Sequence, residues 1–163
     1  MPLLTIAIPA PSNFILSNQG HMGRKKIVDV IALLFILLFV YAATSKLLDY
    51  EKFVVQVGQS PMLTSMAAWI AALVPLVELV IAGLLVFERT RLAGLYGSFC
   101  LMIVFTGYII LASRFSDYTP CSCGGVLEGM SWDAHLAFNV FFVGVAIVGV
   151  LVEVGMGEIV DKG

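Results

Sequence analysis

Four stretches of this 163-residue chain are built almost wholly from Leu, Ile, Val, Phe and Ala, near 27–46, 66–87, 92–113 and 134–153. At about 1.5 Å of helix per residue, each is long enough to cross about 30 Å of hydrocarbon. Hydrocarbon offers no partner to a bare N–H or C=O, so a lone span must satisfy its own backbone, which a helix does. Pro, Gly, Asp and Arg occupy the breaks between the stretches. The expected fold class is therefore all-α, a four-transmembrane-helix bundle held in a lipid bilayer.

Composition agrees with that reading and removes others. The chain is 60% hydrophobic and 12% charged, against roughly 25% charged residues in an ordinary soluble domain. A formal net charge of -2 supplies no basic field, so nucleic acid is not expected as a partner. Three cysteines are too few for the disulfide framework of a small secreted scaffold, and any cysteine chemistry must be local.

The basic residues set an orientation. Arg24, Lys25 and Lys26 precede the first span, Arg89 and Arg91 fill the tight link between the second and third, and Lys162 ends the chain, against Lys46, Lys52 and Arg114 on the other side. By the positive-inside rule both termini face the cytoplasm, and the loops at 47–65 and 114–133 face outward. Between the first two spans, "KLLDYEKFVVQVGQSPML" carries Leu47, Tyr50, Val54 and Val57 at helical spacing. It is expected to form a short interfacial helix, ended by Gly58 and Pro61. Residues 1–21 hold three prolines and no basic region, and are expected as a disordered N-terminal extension to a four-helix domain at 22–163.

The outer loop before the last span reads "TPCSCGGVLEGMSW". Only Ser122 separates Cys121 from Cys123, so a bond between them needs a sharply bent backbone. Gly124 and Gly125 follow and reach positive φ cheaply, while Pro120 stiffens the entry. A strained, exposed disulfide exchanges more readily than a relaxed one. The pair is read as a thiol–disulfide exchange site, against a structural turn or a static bridge. Ser131 is placed to cap the final helix, whose N-terminus would favour a nearby thiolate, and Trp132 suits the interface. Cys100 lies about 20 Å of helix away from that loop and is expected as a small buried hydrophobe.

Several polar residues interrupt the spans. Glu78 in "VPLVELV" cannot face lipid cheaply and must point inward, as a proton relay or ligand anchor or as a clamp between helices. Pro75 frees a backbone carbonyl nearby, and Ser98, Thr106 and Tyr108 are the expected partners of Glu78. Lys46, after Ser45, is expected to snorkel to the surface; pairing with Glu78 would require inward bending. His135 and Asn139 share a helix face near the cysteine loop. His135 is either a proton shuttle for dithiol oxidation or a capping and packing residue. Gly94 and Ser98 form a small-xxx-small face for close helix packing.

Taken in order, "YAATSKLLDYEKF", "VPLVELVIAG", "CSCGGV" and "SWDAHLAFN" resemble the MauE/DoxX group of redox-associated membrane proteins, over roughly residues 26–153. The resemblance implies a multi-pass protein of the bacterial cytoplasmic membrane working beside an extracytoplasmic thioredoxin-like partner. For the methylamine-utilisation branch it implies a role in forming disulfides of the methylamine dehydrogenase light chain. It gives the redox role to Cys121 and Cys123 and motif status to Ser45, Lys46, Pro75 and Glu78. A more distant resemblance is to quinone-linked disulfide oxidoreductases of the vitamin K epoxide reductase type, which would bring a membrane quinone as cofactor. This chain departs from them in having neither a CxxC nor a shuttle pair.

The leading expectation is a membrane thiol–disulfide redox component. Its competitors are a Cu(I) site at Cys121 and Cys123 with Met130 or His135, and a non-catalytic assembly subunit.

Overall fold

The computed structural model describes residues 11–58, 64–115 and 132–161, and the side chains of 22–58, 64–111 and 133–155 within them. In chain order the elements are α1 (Pro11–Leu48), α2 (Tyr50–Gly58), a 3-10 turn (Thr64–Met66), α3 (Ala67–Val86), α4 (Arg91–Phe115) and α5 (Trp132–Asp161). No strand occurs among the described residues. Four segments are long and apolar enough to cross a membrane: Met22–Leu48, Thr64–Val86, Arg91–Leu111 and Asp133–Gly155. These coincide with the four apolar stretches of the sequence, and the protein is a four-helix multi-pass membrane protein. The backbone is helical from Pro11. Proline fits the first helical position because its fixed φ suits the helix and its missing N–H would have no partner there. Residues 1–10 lie outside the described residues.

The spans form a ring in which α1 packs on α3 and α5, and α4 packs on the same two; α1 and α4 lie across the diagonal. Each inward stripe follows helical spacing. On α1 it is Val28, Ala32, Phe35, Phe39 and Ala43; on α3 it is Ala67, Ala71, Pro75, Glu78, Ala82 and Leu85. Phe35 meets Phe142 of α5 edge-on, with ring centroids 5.5 Å apart, a favoured aromatic geometry. The outward faces are equally apolar, with Leu37, Leu73, Val104, Phe141 and Leu151 all exposed. Lipid tails are as apolar as these side chains, so close packing and polar contacts, rather than removal from water, must select the helix pairs.

Two devices at the end of the bundle near the α3–α4 link do this. Thr90 Oγ1 donates to Leu84 O at 2.7 Å, and Gly94 N donates to Thr90 O at 2.9 Å, so one residue closes α3 and opens α4. A Cβ on Gly94 would stand 2.8 Å from Leu85 Cδ2 and 3.0 Å from the Leu85 backbone nitrogen, closer than packing permits. Ser98, one turn on, is buried and donates to Gly94 O at 2.8 Å, so the small-xxx-small face does serve helix contact. Ion pairs tie α1 to the same region: Lys25 to Glu88 at 2.9 Å and Arg91 to Asp29 at 2.8 Å. The hydrogen bond from Lys25 holds the Glu88 carboxyl below the usual carboxylate range. As an exposed pair it contributes little to stability.

At the other end, α2 folds back over α3. Its buried face is Phe53 and Val57, packed on Ala67 and Ala71 with Val54 at the margin. This differs from the expected face, because Leu47 and Tyr50 are exposed. Tyr50 keeps a polar tether, its hydroxyl donating to Ala68 O at 3.3 Å. Thr64 Oγ1 donates to Gly58 O at 2.8 Å, closing the end of α2. Pro61 lies outside the described residues.

Glycine positions separate packing from flexibility. Gly94→Ala should lower the detergent melting temperature, with a cost of about 1–3 kcal/mol from overpacking. Gly144→Ala, where a Cβ meets nothing within 4 Å, should be neutral or slightly stabilising. Intrinsic-fluorescence melts of the two variants check both outcomes.

Candidate functional site

Four polar residues of the spans, Lys46, Glu78, His135 and Asn139, converge at the end of the bundle covered by α2. Lys46 Nζ donates to Glu78 Oε1 at 2.7 Å, with the lysine 5% exposed and the glutamate fully buried. This corrects the expectation that Lys46 snorkels outward. Helix α1 runs on to Leu48, so Lys46 is still on the helix. Its position continues the inward stripe of Phe39 and Ala43 at i+7 and i+3, and no bending is needed. Lys46 also lies 3.5 Å from Ala42 O and faces the rings of Phe53 and Phe105, with centroids at 5.9 and 5.7 Å. One ammonium thus touches α1, α2, α3 and α4, and the aromatic faces supply electrostatic attraction where water is absent.

Glu78 takes Lys46 as its partner, while two of the α4 residues expected for it, Ser98 and Thr106, bond elsewhere. Ser98 donates to Gly94 O, and Thr106 Oγ1 donates to Met102 O at 2.7 Å, each within its own helix. Tyr108 lines the same space as Glu78. The second carboxylate oxygen, Glu78 Oε2, is buried with no hydrogen-bond partner. Pro75 is buried one turn before it, and helix α3 continues through the proline.

The pair borders a cavity of about 780 Å³, walled by all four spans and α2. His135 and Asn139 of α5 complete its polar end; both are buried, and Asn139 Nδ2 donates to His135 O at 2.9 Å. The sequence reading that these two share a face therefore holds, and that face is turned to the cavity. Most of the remaining wall is apolar and aromatic, including Phe39, Phe53, Phe105 and Phe138. Leu37, Tyr41 and Val104 line the cavity and are 59%, 47% and 63% exposed on the outside of the bundle. The space therefore opens sideways, at the depth of the apolar spans.

Other expected site residues fall elsewhere. Ser45 is half-buried beside Lys46. Cys100 is exposed, on the face of α4 that also carries Tyr96, Ile103 and Val104, which corrects its reading as a buried residue. Cys121, Cys123, Gly124 and Gly125 lie outside the described residues, as do Pro120, Met130 and Ser131. The exchange site and its Cu(I) alternative therefore rest on the sequence. What sequence reasoning missed was the Lys46–Glu78 pair. The heptad spacing of Phe39 and Lys46 carried the signal.

Removing one member of a buried pair strands the other. Lys46→Met should destabilise the protein by about 3–5 kcal/mol, while Lys46→Met with Glu78→Leu should recover most of that loss. A double-mutant cycle of melting temperatures measures the coupling.

A family model described as methylamine utilisation protein MauE matches residues 24–152. Neither a curated protein nor a solved structure matches the chain. The matched segment holds Lys46, Glu78, His135 and Asn139 and nearly the whole of the four spans, and the chain belongs to the MauE family.

Proposed function

We propose that this protein is a membrane thiol–disulfide redox component, exchanging electrons through Cys121 and Cys123 with an extracytoplasmic thioredoxin-like protein during disulfide formation or protein maturation. The observation that carries the reading is MauE family membership across the four spans, joined to a Cys-Ser-Cys sequence in the α4–α5 connection. That connection leaves the end of the bundle where α5 begins, and His135 stands in the first turn of α5, buried against the cavity. Each exchange conserves electrons. A thiolate attacks one sulfur of the disulfide, a mixed disulfide forms, and a second thiolate of the attacking protein displaces it, so the disulfide passes from one protein to the other. Two protons travel with the two electrons, and His135 and Glu78 are the groups assigned to carry them.

Orientation belongs to the same proposal. The basic residues at the Lys25 and Arg91 end put both termini in the cytoplasm and the cysteine loop outside, in the bacterial cytoplasmic membrane. An oxidising compartment is where a labile disulfide can be kept formed.

Single substitutions test the exchange. Cys121→Ser or Cys123→Ser should trap a mixed disulfide with a partner protein in cells, visible as a band that reductant removes. Alkylation of intact cells should find the wild-type pair oxidised in part. A pair that stays fully reduced, together with no trapped species from either variant, sinks the redox reading. Maturation unaffected by the double Ser variant would instead favour an assembly subunit.

A further inference from the structure

We infer that the lateral cavity holds an acyl chain of a bilayer phospholipid, the tail entering past Leu37 and Tyr41 of α1 and Val104 of α4 while the headgroup stays at the membrane surface. What the cavity shows to an occupant is hydrocarbon. Leu38, Ala42, Ile70, Val74, Phe105 and Phe138 line it and are half-buried, so they keep accessible surface. The polar residues stand behind that surface: Lys46, Glu78, His135 and Asn139 are 5%, 0%, 8% and 3% exposed. They are also occupied with one another, Lys46 with Glu78 and the Asn139 amide with His135 O. A ligand that depends on hydrogen bonds finds few to make here, whereas a chain of methylenes needs none.

The position of the mouth says where the chain comes from. Leu37, Tyr41 and Val104 belong both to the cavity wall and to the lipid-facing outside of the bundle, so the two apolar surfaces are continuous. Tyr41 stands seven residues before the end of α1 at Leu48, about 10 Å along the helix. That sets the mouth at the depth of lipid tails, below their headgroups. Water does not wet such a space. An apolar cavity of about 150 Å³ stays dry and takes up benzene, and this one, at about 780 Å³, is about five times larger. Left empty, it would forfeit dispersion contacts along its wall, and the tails outside are the hydrocarbon at hand. A lodged tail touches α1 and α4 together, two helices that meet little across the diagonal, and so becomes part of the packing between them. Tail binding is independent of the proposed thiol role.

The test is photolabelling of the purified full chain in lipid nanodiscs containing phosphatidylcholine with a diazirine midway along one acyl chain, the adducts being located by mass spectrometry. Leu73, Phe141 and Leu151, which are exposed and outside the cavity wall, report on the lipid around the bundle. Adducts are expected on Phe105 and Phe138 as well as on these outer residues. Val74→Phe and Ala42→Leu each enlarge a side chain of the wall. A tail shut out of a filled gap should lower the Phe105 and Phe138 adducts about fivefold or more relative to the outer ones. The outer adducts should be unchanged. Melting temperatures confirm that each variant is folded, and a variant that fails to fold is replaced by the other. Two results overturn the site. One is wild-type adducts confined to the outer residues, as a water-filled space or a second copy of the chain seated over the mouth would give. The other is a Phe105 and Phe138 yield within about twofold of wild type in a folded variant, since a filled gap cannot also hold a tail.

Discussion

A salt bridge closed inside the bundle, between Lys46 and Glu78, sets the terms for the rest of the structure. Either charge alone at that depth would be costly, and together they demand that α1 and α3 meet in one register with their inward stripes facing. Burial by itself could not impose this, because the outer surfaces of the helices are as apolar as the inner ones and lipid accepts either. The choice falls to specific contacts. Lys46 selects at one end, Arg91 with Asp29 and Lys25 with Glu88 at the other, and the glycine face of α4 brings that helix close to Leu85. The aromatic core of Phe35, Phe39 and Phe142 fills the space between.

The cavity follows from the same arrangement. In the half of the bundle near Arg91, the stripes carry Val28, Phe35, Leu85 and Leu95 among smaller residues such as Ala32 and Ala82. In the half near Lys46 they carry alanines, a proline and polar groups: Ala43, Ala71, Pro75, Asn139. The cavity lies in this half, with Lys46, Glu78, His135 and Asn139 in its wall and Phe53 and Val57 of α2 beside them. The chemistry of this space is therefore concentrated on residues that also hold the fold together, which is why single substitutions of Lys46 or Glu78 report on stability before anything else.

Much of this was legible in the sequence, for physical reasons that also mark where legibility stopped. The spans and their number follow from length and hydropathy, since nothing else satisfies a backbone in lipid. Glu78 had to face inward, and His135 with Asn139 had to share a face. Lys46 was misread because its place near the end of a span suggested escape to the surface; the azimuth fixed by Phe39 and Ala43 outweighed that axial position. Cys100 was misread for the converse reason. In a soluble protein an apolar residue within a helix is usually inside, whereas in lipid Tyr96, Cys100, Ile103 and Val104 can form an outer face at no cost. The buried face of α2 depended on what covers Ala67 and Ala71, a tertiary contact that helical spacing alone does not specify.

Helix α2 has a consequence out of proportion to its nine residues. It packs chiefly on α3 and touches α1 little, yet its Phe53 ring is part of the shield over Lys46. The local dielectric around the central charges is thus governed by an element outside the spanning bundle. Any event that lifts α2 would admit water, weaken the attraction between Lys46 and Glu78, and let both exchange protons with the outside, without moving a single spanning helix.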